Sequence, residues 1–372
     1  MPQKGQRTAG TRHREAAQTG KAGAALLGSL PMLRTSERGA YKRCEFLWNL
    51  TYNQRLKPMS TMPALRFGAL VHKSLAAWYI PGVKRGKHPA EAFDEFYAED
   101  MRKNDEIFGS YSEDDERWVN AHEMGVAMLE NYISEYGGDD DWEVIATEYP
   151  FETLVYKPWT YDPNHPPEAQ ATAEPWFHYV GVLDGIWRRR SDKTLWVPDH
   201  KTTGGIGPKT TRYLRLDDQA GSYWSYGVRA IVEAELMRKN EKLNGMLYNF
   251  LRKALPDERA SKIVGGKRVY LNNNGSVSQK QPSPYFLRAP IYRDEFDRAE
   301  AMRRAEVDFQ RMESLRTGEF ELSKNPGPFT CPGCPVLDAC ELHETGNDYQ
   351  GFIDQTMEPW DPYSEHEIYA GR

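Results

Sequence analysis

Two β-rich runs separated by a short polar turn constrain this chain more than any other feature. Residues 179–187 read YVGVLDGIW and residues 195–201 read LWVPDHK, with Arg190, Ser191, Asp192 and Lys193 between them. Apolar and aromatic residues bounded by such a turn predict an antiparallel hairpin. A turn centred between Ser191 and Asp192 sets Asp184 opposite Asp199, with Cβ atoms ~4.5–5.5 Å apart. Strand alternation then places Lys201 on the same face as Asp199. Two facing carboxylates beside an ammonium suit a shared hard cation. A solvent-exposed sheet face carrying an Asp–Lys pair is the plainer alternative, and a one-residue change in the turn would rotate one carboxylate away. Pro198 lacks an amide hydrogen, which predicts an edge strand or a bulge beside Asp199.

The flanking sequence predicts helices, then a small sheet, then helices, an α/β or α+β arrangement. Phe67, Leu70, Val71, Leu75 and Trp78 recur at helical spacing over 65–79. Acidic amphipathic helices are predicted over 89–104 and 114–136. Strands are predicted over 142–154, 176–189, 194–201 and 245–252. Asp217 suits an N-cap for a helix reaching about Asn240, and 255–284 reads as a loop or flap hairpin. A long helix over 294–316 places Phe296, Ala299, Met302, Ala305, Phe309 and Met312 on one stripe. Residues 1–33 read as a mobile basic tail and 346–372 as an acidic tail.

Charge and cysteine usage narrow the class. Lys and Arg number 48 against 54 Asp and Glu, a net charge of -6. That excludes a globally basic nucleic-acid coat protein and leaves room for a local basic channel. The sequence has no apolar run of the ~18 residues that a membrane helix needs. The small-residue stretch 22–30 lacks a cleavage signature, so no signal peptide is expected. Three of the four cysteines, Cys331, Cys334 and Cys340, crowd into FTCPGCPVLDAC. With Cys44 they suit a structural Zn²⁺ or a [4Fe–4S] cluster, the expectation for a protein of a reducing, cytoplasmic compartment.

In these residues the chain resembles the PD-(D/E)XK nuclease superfamily, and more narrowly RecB-type nuclease domains and the RecB-like exonucleases associated with CRISPR systems. Asp199-His200-Lys201-Thr202 stands where that group has D-x-K-T. The helical segment from Phe67 through His72 to Leu75 resembles its upstream histidine motif. Gln219 and Tyr223 match its Q-x-x-x-Y signature, Tyr41 to Phe46 its N-terminal cysteine element, and Cys331, Cys334 and Cys340 its C-terminal iron–sulfur triplet. The matches run in family order over residues 34–342.

The resemblance implies a restriction-endonuclease-like core, a small mixed sheet flanked by helices, over residues 34–345. Segments 84–140 and 255–284 then read as insertions, and a C-terminal iron–sulfur element completes the fold. It implies a DNA exonuclease dependent on Mg²⁺ or Mn²⁺, with His72, Asp184 and Asp199 as metal ligands and Lys201, Gln219 and Tyr223 completing the catalytic set. Cys44, Cys331, Cys334 and Cys340 would hold the cluster, in preference to zinc. Arg252 and Lys253 are candidate DNA contacts. Expected partners are DNA, single-stranded or with free ends, and proteins of recombination or CRISPR type, in a prokaryotic cell or a virus-infected host; no membrane is expected. A catalytically weak DNA-binding recombination protein and a structure-specific endonuclease are the alternatives.

Overall fold

The computed structural model describes residues 30–59, 63–108, 120–265, 267–364 and 366. The chain runs through β1 (Met32–Leu33), α1 (Thr35–Arg43), α2 (Glu45–Trp48), β2 (Leu56–Pro58), α3 (Pro63–Trp78), α4 (Pro89–Phe108) and α5 (Ala121–Tyr136). Strands β3 (Trp142–Tyr156), β4 (Pro175–Arg189) and β5 (Thr194–Thr203) follow, then α6 (Asp218–Ser222), a π-turn (Tyr223–Gly227) and α7 (Val228–Glu233). Next come β6 (Lys242–Arg252), β7 (Ser261–Val264), β8 (Lys267–Tyr270) and β9 (Phe286–Tyr292). The chain closes with α8 (Glu295–Arg316), α9 (Leu337–Glu344), α10 (Tyr349–Thr356) and β10 (Met357–Pro359).

A six-stranded mixed sheet has the order β1-β4-β5-β6-β9, with β3 along the other edge of β4. β5 and β6 run parallel over ten residue pairs from Thr194↔Lys242 to Thr203↔Arg252. The connection between them is the helical α6–α7 segment, the crossover that a parallel pair demands. Both faces are covered. On one, Phe309, Met312 and Ala305 of α8 pack with Tyr226 and Ile231 onto Leu183, Ile186, Val197, Met246 and Phe250. On the other, α3, α4 and α5 bring Val71, Leu75, Phe93 and Leu129 onto Trp187, Trp196, Leu247 and Leu251. Asp294 caps α8 in a reciprocal capping box with Asp297, which fixes where that helix starts.

Several expectations need correction. β5 is a central strand, so Pro198 marks neither an edge nor a bulge beside Asp199; the one irregularity in the β5–β6 ladder falls between Leu195 and Trp196. The helix starting at Asp217 does not continue to Asn240. It widens into the π-turn at Tyr223–Gly227, and α7 stops at Glu233, with Glu235 at φ 53° in the left-handed region. Phe296 is 80% exposed and leaves the predicted stripe; Ala301 joins Ala305, Phe309 and Met312 in its place. The predicted helix start at 114–119, the basic tail over 1–29 and the last residues of the acidic tail lie outside the described residues. The rest of the acidic tail folds as α10 and β10, which pairs with β2.

One buried clamp ties three helices together. Arg38 of α1, 1% exposed, donates from Nε to Asp308 of α8 (2.8 Å) and from Nη1 to Ser222 (2.8 Å). Its Nη2 also reaches Asp218 (3.1 Å), so α1, α6 and α8 are held by a single guanidinium. Burial works against this charge, but Tyr179, Asp218 and Asp308 outweigh it and raise its pKa further. Removing one member of such a pair strands charge in a poorly solvated place. Arg38→Ala is therefore expected to lose on the order of 3–5 kcal/mol, read from urea denaturation of the full chain.

Candidate active site

The β4–β5 hairpin has the register read from its sequence, with Trp187↔Trp196 and Arg188↔Leu195, but the ladder ends there. The same edge of β4 next meets β1 at His178 and Tyr179, so residues 180–186 face no strand on that side. Three local features open this gap. Phe177, Tyr179, Leu183 and Ile186 all point into one core, although the last has the opposite parity, so the pleat slips across Asp184 and Gly185. The β3–β4 ladder likewise skips Asp184 and Glu148, and Glu148 sits at φ 46°. A Cβ at position 185 would come within 3.1 Å of Pro198 Cγ, so glycine is what lets the proline ring lie there.

The consequence is chemical. His200 N–H, on the β4 side of β5, donates to Asp184 Oδ2 at 2.7 Å instead of to a strand carbonyl. Amides two residues apart point the same way, so the amide that Pro198 lacks would have pointed into the same gap. A proline is tolerated in this central strand because no partner waits for it.

Around the gap stand most of the predicted residues. Asp199 is fully buried, and Lys201 Nζ lies 3.0 Å from its Oδ1 and 2.8 Å from its Oδ2. Lys201 also donates to Gln219 Oε1 (2.8 Å), and Gln219 Nε2 donates to the Tyr223 hydroxyl (3.1 Å). His72 of α3 approaches the other carboxylate, with Nδ1 3.4 Å from Asp184 Oδ2. Burial pushes Asp199 up to about 6, helped by Asp184 and opposed by Lys201. Burial also disfavours the Asp184 carboxylate, but His72 outweighs it and holds this carboxyl below its usual range. His72 is reciprocally raised to about 9 against its own burial. The pair is unequal: one carboxylate is secured by an imidazolium, the other is poorly solvated.

Among the described residues no three His, Cys, Asp or Glu side chains converge as a ready-made metal site. A Mg²⁺-type ion needs only one or two carboxylates and keeps several waters. The Asp199 carboxylate is fully buried with Lys201 Nζ 3.0 and 2.8 Å from its two oxygens, so a cation held there would share it with that ammonium. Arg252 and Lys253 are only half-buried at the end of β6; Arg252 stacks on Tyr285 (4.2 Å) and Lys253 N–H donates to Thr203 O (2.8 Å). The structure therefore places them two and three residues beyond the Lys201↔Phe250 pair, at the edge of the site.

Sequence reading treated His200 as a spacer, and it is more than that. On the opposite face of β5, its Nδ1 meets Asn249 Nδ2 at 2.8 Å, and Asn249 also donates to the Tyr132 hydroxyl (2.8 Å). Tyr132 accepts from Arg288 Nη2 (2.6 Å), which is bidentate on Asp139 (2.6 and 2.7 Å). Burial lowers His200 to about 3, so it is neutral. The one sequence signal was Asn249, a lone amide inside the apolar run MLYNFL.

Of the four cysteines, Cys44, Cys334 and Cys340 pack on one apolar cluster, but among the described residues no three of them converge as a metal-binding group. All are free thiols, and Cys334 and Cys340, raised by burial, each feel Cys44 and Cys331 electrostatically. Gly327 N–H donates to Cys331 Sγ (3.4 Å), and Arg43 donates to Thr330 O (2.9 and 2.6 Å), holding this segment against α1.

Compared with known proteins, the chain matches the family model described as the PD-(D/E)XK nuclease superfamily over residues 36–341. Among solved structures, it is similar to a crystal structure from Eubacterium rectale named "Putative exonuclease". That similarity has a TM-score of 0.39 and 14% identity, covering 86% of this chain and 90% of the other. No curated protein matches the chain.

The polar network behind β5 yields a prediction. Asn249→Leu leaves His200 Nδ1 buried without its amide partner, while the Tyr132 hydroxyl keeps Arg288 and Tyr79. It should cost roughly 1–3 kcal/mol for the stranded imidazole nitrogen, measured by urea denaturation, while Asn249→Asp should cost more because it adds a buried charge.

Proposed function

The chain belongs to the PD-(D/E)XK nuclease superfamily, and from that premise we propose that it is a metal-dependent DNA exonuclease acting in DNA end processing, recombination or repair. The observation that carries this reading is the fully buried carboxylate of Asp199, 2.8 Å from Lys201 Nζ and disfavoured as an anion by burial and by the charge of Asp184. Asp184 and Asp199 would hold Mg²⁺ or Mn²⁺. His72 is the third candidate ligand, although here it forms an ion pair with Asp184. When bound, such an ion supplies Lewis acidity to a phosphoryl oxygen and lowers the pKa of water.

The chain's own residues have separable tasks. Lys201 offers a compact positive charge where negative charge grows on the phosphoryl oxygens. Gln219 accepts one of its N–H groups and is itself steadied by Tyr223, so the ammonium is held rather than free to swing. Gly181 makes room for the Phe151 ring, which packs edge-on against that tyrosine: a Cβ there would lie 2.7 Å from Phe151 Cε1. Arg38 fixes the helix that presents both residues, through Asp218 and Ser222.

The cysteines belong to the same proposal as a structural element. Four free thiols, with an amide donated to Cys331 Sγ, have the chemistry that a [4Fe–4S] cluster takes, although as they stand no three of them converge on a common centre. Such a cluster would join α1 to the segment before α9, closing a loop of nearly the whole chain. Cross-links over long loops stabilise by several kcal/mol in chain-entropy models.

Two experiments test these assignments. Asp199→Ala should abolish Mg²⁺- or Mn²⁺-dependent release of terminal label from linear DNA while leaving the circular dichroism spectrum intact, and EDTA should reproduce the loss. Lys201→Ala should lower turnover far more than affinity, since its contact strengthens in the transition state. Full cleavage by folded Asp199→Ala would overturn the metal assignment, and equal cutting of circular single strands would replace exonuclease with endonuclease. Separately, anaerobically purified protein should carry about four irons and visible absorbance, both diminished in Cys44→Ser. Zinc in place of iron would refute the cluster.

A further inference from the structure

Between β5 and α6 the chain crosses the end of the sheet that carries Lys201 as a fourteen-residue connection, 204–217, reading GGIGPKTTRYLRLD. It is pinned at intervals. Ile206 and Leu214 are sunk in the main core at 5% and 0% exposure. Arg293 Nη2 donates to Leu214 O (2.8 Å), and Asp217 both caps α6 and accepts from the Tyr248 hydroxyl (3.1 Å). Backbone bonds from Thr210 to Gly207, Arg212 to Lys209, Leu214 to Thr211 and Leu216 to Tyr213 knit the span between.

Because the loop is pinned, what it turns outward is held outward. Tyr213 is 53% exposed and Leu216 72%. Lys209, Arg212 and Arg215 are exposed beside them. Arg215 reaches Asp297 at 3.2 Å, whereas among the described residues Lys209 and Arg212 have no acidic partner. Tyr213 is carried on the connection that runs from the end of β5, two residues past Lys201, to Asp217 and Gln219 at the start of α6, and Asp217, Lys201 and Asp199 act on its hydroxyl. An aromatic face kept in water next to uncompensated cations is poor for stability, since burying such a ring is ordinarily favourable. It suits a ligand with a flat π-face and a phosphate backbone. In a chain of net charge -6, such a strip is also a local exception. Stacked bases inside a duplex do not present a free face; an unpaired base does.

We propose that Tyr213, with Lys209 and Arg212, forms a landing strip for single-stranded DNA. Tyr213 stacks a base beside the scissile phosphate, the two cations meet the neighbouring phosphates, and the tyrosine sets a preference for unpaired over paired ends. The proposal rests on the nuclease reading above and deepens it by naming the substrate class.

The test compares Tyr213→Ala, Tyr213→Leu and Tyr213→Phe in the full chain. Binding is measured in the Asp199→Ala background, by titrating a single-stranded oligonucleotide with a 2-aminopurine end and a blunt duplex of equal length. Cleavage is measured in the otherwise native chain. Tyr213→Ala and Tyr213→Leu should weaken single-strand binding roughly 5- to 150-fold, the range for losing one base–aromatic stack. Duplex binding should change little, and the single-strand to duplex ratio of kcat/KM should fall in step. Tyr213→Phe should stay within about twofold of the parent, because the π-face is kept. Charge removal at Lys209 and Arg212 should lower the log–log salt slope by about 0.7 per contact. If Tyr213→Leu keeps the parent's ratio, or Tyr213→Phe loses as much as Tyr213→Ala, the stacking role is overturned while the nuclease reading stands. If the native chain cleaves no DNA with either metal, the nuclease reading falls, and the binding titration still decides the role of Tyr213.

Discussion

The structure turns on a place where a β-ladder stops. Beyond Trp187 and Trp196, β4 and β5 separate, and the bond that should have joined them is made by a side chain, Asp184 accepting from His200 N–H. An amide left unpaired in the interior of a sheet would cost about 1–3 kcal/mol, so the gap exists because a carboxylate closes it. The same substitution places a charged group among buried strands, beside a second carboxylate that is fully buried. Pro198 and Gly185 are the covalent conditions for this. One has no amide to leave stranded, and the other leaves space for the ring.

Each face of the sheet then supports the gap in its own way. On the α8 side, Arg38 gathers Asp308, Asp218 and Ser222, and so positions Gln219 and Tyr223 against Lys201. On the other, Arg288, Asp139, Tyr132 and Asn249 form a buried chain ending on His200, whose ring lies 6.0 Å from that of His72. Residues 84–140 contribute Tyr132 and Asp139 to this chain and much of the second core, so this acidic helical segment is built into the support of the site. Buried polar networks of this kind rigidify when fully satisfied and are costly when broken, which keeps the side chains around the gap aligned.

The N-terminal and C-terminal segments of the described chain pack against each other. Phe46, Leu47 and Leu50 pack with Val336, Ala339, Ile353 and Met357, and β2 pairs with β10. Glu37, 1% exposed, accepts from Trp48 Nε1 (3.0 Å), Arg316 (2.6 Å) and the Tyr363 hydroxyl. The cysteines therefore sit in an assembly that apolar packing and hydrogen bonds already hold.

What the sequence determined by itself was local and periodic. The β-branched and aromatic runs identified β3 to β6, helical spacing identified α3 and α8, and the polar turn fixed the hairpin register from Trp187 to Trp196. The D-x-K spacing put Lys201 on the Asp199 carboxylate, because alternation in a strand needs no knowledge of neighbours. Tertiary structure decided what depended on partners. The sequence placed Pro198 at an edge because a proline spoils an internal ladder; only the folded sheet reveals that the ladder has already lapsed there. Strand alternation could not announce the pleat slip at Asp184, which lies opposite the left-handed Glu148 of β3. Nor could it assign His200, whose importance lies in Asn249 and Tyr132, 49 and 117 residues apart in hydrogen-bonded steps of the chain. Periodicity is a property of one strand or helix read alone, whereas satisfying a buried polar group depends on which distant residues the fold brings beside it.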